Sequence, residues 1–245
     1  MTPASIPEQD LDRADYRILA YGDSNTFGWK YVADGQISRL NPKCVWPEVM
    51  GRELRSSFDP GVTVIGEGLG GRTTDVDDLI DAGSGIIPGV GMNGLAYLPA
   101  ALSSHMPLDL VIIMLGSNDL QARINRTPEE IAAALGRMVR LVREGAWQAK
   151  ADFPVPDVLV LSPPKVRLTK STRAEVFVGA EEKSERLAAL IEPAVTAEGA
   201  HFMDAASVVP YAKQADELHL TEQQHGLLGR AVAERVRLIL AQRSR

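Results

Sequence analysis

The sequence predicts an α/β fold: one parallel sheet of five strands with helices packed on its faces. Three observations predict it. Five short apolar runs rich in Val, Ile and Leu are spread along the chain. Helical patterns separate them, so strand and helix alternate, the order that builds a parallel sheet. The central runs are continuously apolar and β-branched rather than alternating, as strands are when helices cover both faces.

Taken in order, the strand candidates are residues 17–22 (RILAYG), 62–66 (VTVIG), 108–115 (LDLVIIML), 158–162 (VLVLS) and 201–204 (HFMD). Between the first two, residues 46–55 read as a helix with Pro47 in the first turn, where its missing N–H costs nothing. Residues 127–143 form a second helix. Thr127 caps it, Pro128 takes the first turn, and Glu129 and Glu130 complement the helix dipole. Its Ile131, Leu135, Met138 and Val142 make one apolar face. Residues 181–197 and 222–242 complete the set. Residues 1–16 read as a disordered or extended arm, and 17–245 as one domain. Two stretches exceed a minimal unit, 75–98 and 163–180, and both read as long loops of functional or interfacial use. Their apolar residues are expected to be buried against a neighbouring subunit, making the protein a homo-oligomer, the alternative being that they fold back over their own subunit as a lid. They are Leu79, Ile80, Ile86, Ile87, Val90 and Met92 in the first stretch, and Val166, Leu168, Val176, Phe177 and Val178 in the second.

Composition bounds the function. The chain has 245 residues, 45% hydrophobic and 24% charged, the profile of a globular protein with a full core and not of a disordered one. The single cysteine, Cys44, excludes a disulfide scaffold and fits a reducing compartment. With 26 Lys and Arg against 32 Asp and Glu, the net charge is −6, which argues against a nucleic-acid partner. The best apolar run, 110–115, falls far short of the roughly 20 residues that cross a bilayer. The polar, acidic start lacks the basic and apolar regions of a signal peptide. A cytoplasmic protein with no membrane partner is expected.

Candidate chemistry sits where the strands end. In open α/β sheets ligands bind beyond the carboxyl ends of the strands. Gly22-Asp23-Ser24-Asn25-Thr26 follows the first strand, and Ser24 stands where a helix would begin, as a nucleophile beside free N–H groups or simply as a cap. Gly66-Glu67-Gly68-Leu69-Gly70-Gly71 follows the second, with glycines that let backbone N–H groups approach a ligand. Gly116-Ser117-Asn118-Asp119 follows the third. Asn118 could donate its side-chain amide to an oxyanion or close an Asx turn. Asp216 and His219 lie three apart in a turn after the last strand, so one loop can deliver a base and its orienting carboxylate. Of the four histidines, His225 falls in the final helix and His201 begins a strand.

Four of these blocks, in this order, resemble the SGNH (GDSL-type) hydrolase superfamily. Gly22-Asp23-Ser24-Asn25 is similar to its first block, with Asn25 where the family more often has Leu. Gly68-Leu69-Gly70-Gly71-Arg72-Thr73 is similar to its glycine block, Gly116-Ser117-Asn118-Asp119 to its G-x-N-D block, and Asp216-Glu217-Leu218-His219 to its D-x-x-H block. Residues 95–119, Arg72-Thr73-Thr74 and Leu161-Ser162-Pro163-Pro164 resemble the bacterial arylesterase and acyltransferase branch, which is oligomeric and acts on small acyl esters. The resemblance implies a flavodoxin-like three-layer sandwich, no cofactor, and a serine esterase; no H-E-x-x-H or Cys/His cluster in the sequence suggests a metal. Ser24 would then be the nucleophile, His219 the base and Asp216 its orienter. The N–H groups of Ser24 and Gly71 with the Asn118 side chain would form the oxyanion hole.

Other readings are weaker. Gly66-x-Gly68-x-x-Gly71 matches a dinucleotide pattern, but no clear helix follows it and no acid ends a strand about 20 residues on. Ser162-Pro163-Pro164-Lys165 matches S-x-x-K without its companion motifs. A non-catalytic flavodoxin-like module binding FMN through Ser24, Asn25 and Thr26 is the alternative, and it leaves Asp216 and His219 without a task.

Overall fold

The computed structural model of the chain describes residues 15–32, 36–56, 61–77, 91–171 and 173–243. Residues 1–14 of the expected arm and residues 78–90 of the first long stretch, with Leu79, Ile80, Ile86, Ile87 and Val90, lie outside them. Tyr16, read as part of the arm, is instead the first residue of β1 (Tyr16–Gly22).

The main sheet contains β1, β4 (Val62–Gly68), β5 (Leu110–Met114), β6 (Asp157–Ser162) and β7 (His201–Asp204). Its order is β4-β1-β5-β6-β7 and every pairing is parallel. The chain leaves β1 for the edge strand β4, then crosses back over β1 to β5. This reversal makes the carboxyl ends of β1 and β5 the topological switch point, where open sheets of this order hold their ligands.

Both faces of the sheet are buried, which explains the unbroken apolar runs. Leu19, Tyr21, Val111, Ile113, Val158 and Val160 face one core, with Leu98 and Leu102 from α3 (Gly94–His105), Leu135 and Met138 from α4 (Pro128–Glu144), and Leu187 and Ile191 from α5 (Ala180–Thr196). Ile18, Ala20, Leu110, Ile112, Leu159 and Leu161 face the other, with Trp46, Met50 and Leu54 from α2 (Trp46–Arg55). On that second face α6 (Glu222–Arg243) contributes Leu228, Val232, Val236 and Leu240, four apart along one stripe. Each Leu, Ile, Val or Met side chain among them, withdrawn from water, contributes about 1.5–3 kcal/mol. The start of α4 follows its sequence signature: Thr127 Oγ1 accepts from the Glu130 N–H, and the Glu130 carboxylate accepts from the Thr127 N–H. A cap of this kind is worth about 1 kcal/mol.

Three elements were not expected. Trp29–Tyr31 (β2) and Ile37–Arg39 (β3) pair antiparallel as a small second sheet, and strands of three residues carry too little periodicity to be read. Helix α3 begins inside the stretch taken as a loop, after an Asn93 cap that accepts from the Ala96 N–H. Gly94 and Pro99 within it mask the helical pattern.

The second long stretch also corrects an expectation. Val166 and Phe177 are buried in the chain's own core, and so is Met92 of the first; none needs a neighbouring subunit to cover it. Val176 and Val178 remain exposed, Val178 at 65%. No described helix is long and apolar enough to cross a membrane.

Candidate active site

Strand β1 delivers its sequence straight into α1 (Ser24–Phe27). Asp23, not Ser24, caps this helix: its Oδ1 accepts from the Asn25 N–H at 2.9 Å. The serine hydroxyl is thereby left free of capping. The helix sits hard against the end of β4, because a Cβ on Gly68 would come within 2.2 Å of the Phe27 nitrogen. Only glycine permits that approach.

Ser24 Oγ lies 2.9 Å from His219 Nε2, and His219 Nδ1 lies 2.5 Å from Asp216 Oδ2. The other Asp216 oxygen accepts from the backbone N–H groups of Leu218 at 3.2 Å and His219 at 3.1 Å. With its proton on Nδ1, facing the carboxylate, the imidazole presents a bare Nε2 to the serine hydroxyl. All three side chains are buried, Asp216 to 1% exposure. Burial pushes the Asp216 carboxyl up, but the bond from the His219 ring, its charge, and the two backbone N–H groups together hold it below the ordinary carboxylate range. The Trp29 ring stacks on His219, with centroids 6.0 Å apart and planes 13° from parallel.

Asn118 follows β5 in a short 3-10 turn, beside the end of β1. Its Nδ2 donates to the Arg72 carbonyl at 3.0 Å and lies 3.4 Å from Asp23 Oδ2. One amide thus joins the turn that carries Gly71 to the turn that carries Ser24. Gly71 takes a φ of 87°, left-handed backbone that suits glycine, in a turn closed by the Arg72 N–H to the Leu69 carbonyl at 3.1 Å. The turn is anchored to β1: the Leu69 N–H donates to the Gly22 carbonyl at 3.1 Å, and the Arg72 guanidinium donates to the same carbonyl at 2.9 Å. That buried guanidinium lies over the Tyr21 ring at 4.1 Å. The Ser24 N–H stands in the first turn of α1, where a helix offers no acceptor of its own.

Two buried carboxylates flank these groups. Burial pushes Asp23 and Asp119 each up to about 6. Asp119 accepts from the Thr74 N–H and hydroxyl, fixing the chain just beyond Gly71 to the β5 turn.

The structure therefore brings all five sequence-predicted residues, Ser24, Gly71, Asn118, Asp216 and His219, to one place beyond the carboxyl ends of β1, β4, β5 and β7. Several neighbours escaped the sequence reading. Arg72, Asp23 and Asp119 sit inside the motifs but drew no role; a charged residue directly beside a candidate site residue was the available signal. Trp29 and Gln214 carried no signal, since only the fold brings them near His219. Among the described residues no three or more His, Cys, Asp or Glu side chains converge as a metal site.

A hydroxyl, an imidazole and a carboxylate in this relay are what nucleophilic acyl transfer requires. Comparison with known proteins points to ester hydrolysis. No curated protein sequence matches the chain. Among solved structures, the aryl esterase of M. smegmatis is 39% identical with a TM-score of 0.81, over 91% of this chain and 98% of its own. Est24, a carbohydrate acetylesterase from Sinorhizobium meliloti, is 34% identical with a TM-score of 0.82, over 92% of this chain and 100% of its own. Residues 20–227 match the GDSL-like lipase/acylhydrolase family. On that match and those identities, the chain is an ester hydrolase belonging to the GDSL-like lipase/acylhydrolase family.

Proposed function

We propose that the protein is a serine esterase for small acyl esters, working through an acyl-serine intermediate. The observation that carries this reading is the 2.9 Å contact between Ser24 Oγ and His219 Nε2, joining residues 195 positions apart. The aryl esterase and acetylesterase among its structural neighbours support small acyl groups.

In this mechanism Ser24 attacks the ester carbonyl while His219 Nε2 takes its proton. Asp216 holds the ring and stabilises the imidazolium that forms. The carbonyl oxygen becomes an oxyanion facing the N–H groups of Ser24 and Gly71 and the Asn118 amide, donors fixed before the reaction starts. The tetrahedral species collapses, His219 returns the proton to the leaving alkoxide, and an acyl-Ser24 remains. Water attacks next, or a second alcohol does, in which case the product is a new ester. No cofactor takes part, and residues 17–245 act as one hydrolase domain.

The test is p-nitrophenyl acetate turnover, with mass spectrometry of the quenched enzyme. We expect one acetyl group on the peptide containing Ser24 during turnover, and a mixed product when an alcohol is added. Turnover by the folded Ser24→Ala variant at the wild-type rate would overturn the reading. A flavin-binding module, the alternative, would give a yellow protein without turnover.

A further inference from the structure

Asn25 is the position where this chain departs from the residue the family more often carries, and its buried side chain has a definite occupation. Asn25 Nδ2 donates to the Leu218 carbonyl at 3.2 Å, and Asn25 Oδ1 accepts from the Leu220 N–H at 3.0 Å. A primary amide offers one donor direction and one acceptor direction in a single plane. Here it pairs with the two peptide groups that flank His219, as a neighbouring strand would.

The remaining backbone groups of His219 are taken by its own loop. The His219 N–H donates to Asp216 Oδ1 at 3.1 Å, and its carbonyl accepts from the Gln214 N–H at 3.1 Å. Four groups around the histidine are thus paired, two on each side of the chain. On the side facing α1 the partner is Asn25, the residue next to Ser24. The Gln214 side chain ties this loop to β2, donating to the Leu220 carbonyl at 2.6 Å and to the Trp29 carbonyl at 2.9 Å.

We infer that Asn25 is a positioning residue that sets His219 against Ser24. The inference rests on the reading of Ser24 and His219 as nucleophile and base. The relation is geometric: Asn25 moves with the nucleophile, and the peptides it grips move with the base. The distance between Ser24 Oγ and Nε2 is therefore fixed by a second rung one residue away. Leucine at this position can fill the space but can neither donate nor accept. It would leave the Leu220 N–H, at a residue with 0% exposure, without its partner, and the loop would move to find another.

The experiment is a double-mutant cycle on p-nitrophenyl acetate with Asn25→Ala, Asn25→Leu, His219→Ala and Asn25→Ala/His219→Ala, each checked for folding by near-UV circular dichroism. Displacing a catalytic group by about an ångström costs on the order of 100-fold, so Asn25→Ala and Asn25→Leu should each lower kcat roughly 10- to 100-fold with KM changed less than about twofold. In the His219→Ala background Asn25→Ala should cost nothing further, because a residue acting only through the base has nothing left to position. The same fold-loss in that background would overturn the inference, as would wild-type kcat in the folded single variants. If both Asn25 variants fail to fold, Asn25 is a folding residue and the inference is wrong. If His219→Ala itself retains activity, the esterase mechanism fails first and this inference falls with it.

Discussion

His225 offers a prediction whose size follows from where the side chain sits. It lies in the first turns of α6 with no exposed surface. Its Nδ1 accepts a long bond from the Trp46 N–H at 3.4 Å, and its Nε2 is buried without a hydrogen-bond partner. Burial, reinforced by the nearby His219, pushes it from the ordinary 6.5 down to about 4. The sign follows directly. Between those values the unfolded chain binds a proton that the folded one refuses, so stability falls as pH falls, fully present above the unfolded value and lost toward the folded one. For a shift of that size, the lost stability is about 2 kcal/mol between about pH 7 and pH 5. Asp23 and Asp119 act in the opposite sense: each pushed up to about 6, they add stability below the unfolded carboxylate value and lose it as pH rises through the folded one. The wild-type profile is therefore a compromise, and the informative quantity is a difference. His225→Asn keeps an acceptor for the Trp46 N–H and removes the titration. Urea unfolding of both proteins should give curves that converge on acidification, the variant gaining on the wild type by about 2 kcal/mol over that interval. Parallel curves would refute the reasoning, because they would mean that His225 protonates as easily when folded as when unfolded.

Further outcomes can be checked on the same protein. Ser24→Ala and His219→Ala should each cut turnover of p-nitrophenyl acetate by several orders of magnitude, and the double variant scarcely more, since the two act as one unit; Asp216→Asn should cost as much or less, never more. Asn118→Ala should lower kcat by roughly 100- to 1,000-fold with little change in KM; a pure KM effect would make Asn118 a binding residue instead. Light scattering should give a mass above the 26.5 kDa of one chain, and Val178→Asp, at an exposed apolar position, should lower it; a stable monomer at micromolar concentration would end that expectation.

Much of the fold was legible because the sheet is buried on both sides. Strand β5 is apolar at every position from Leu110 to Met114, and nothing but a two-sided burial demands that of a strand. What escaped notice was short or disguised. The β2–β3 pair has three residues in each strand, and α3 hides behind Gly94 and Pro99 although its Asn93 cap is a readable signal. The five candidate site residues were legible for a different reason: each follows a strand or sits in the last loop, and the four blocks that hold them resemble, in order, those of a known family. Asn25, Trp29 and Gln214 do their work across more than 180 positions of chain, and no local pattern can encode a partner that distant.

The stretch 163–180 carries the argument one step further. Its length and apolar content suggested an interface, yet much of it braces the turn that holds Asp216 and His219. The Glu217 carboxylate accepts from the Thr169 hydroxyl at 2.8 Å, the Lys170 N–H at 2.8 Å and the Ser171 N–H at 3.1 Å. Ser171 Oγ donates to the Asp216 carbonyl at 2.7 Å, and Arg173 Nε lies 3.8 Å from Asp216 Oδ2. Glu217 itself takes a φ of 53°, a left-handed backbone that a non-glycine residue adopts only when its surroundings hold it there. The bonds to its carboxylate supply that hold, and Val166 and Phe177 pin the stretch to the core beneath. A turn of this kind left to solvent would relax, and the aspartate would lose its alignment with the imidazole. The surplus chain is therefore first a support for the base, and only the two exposed valines, Val176 and Val178, are left over for a second subunit.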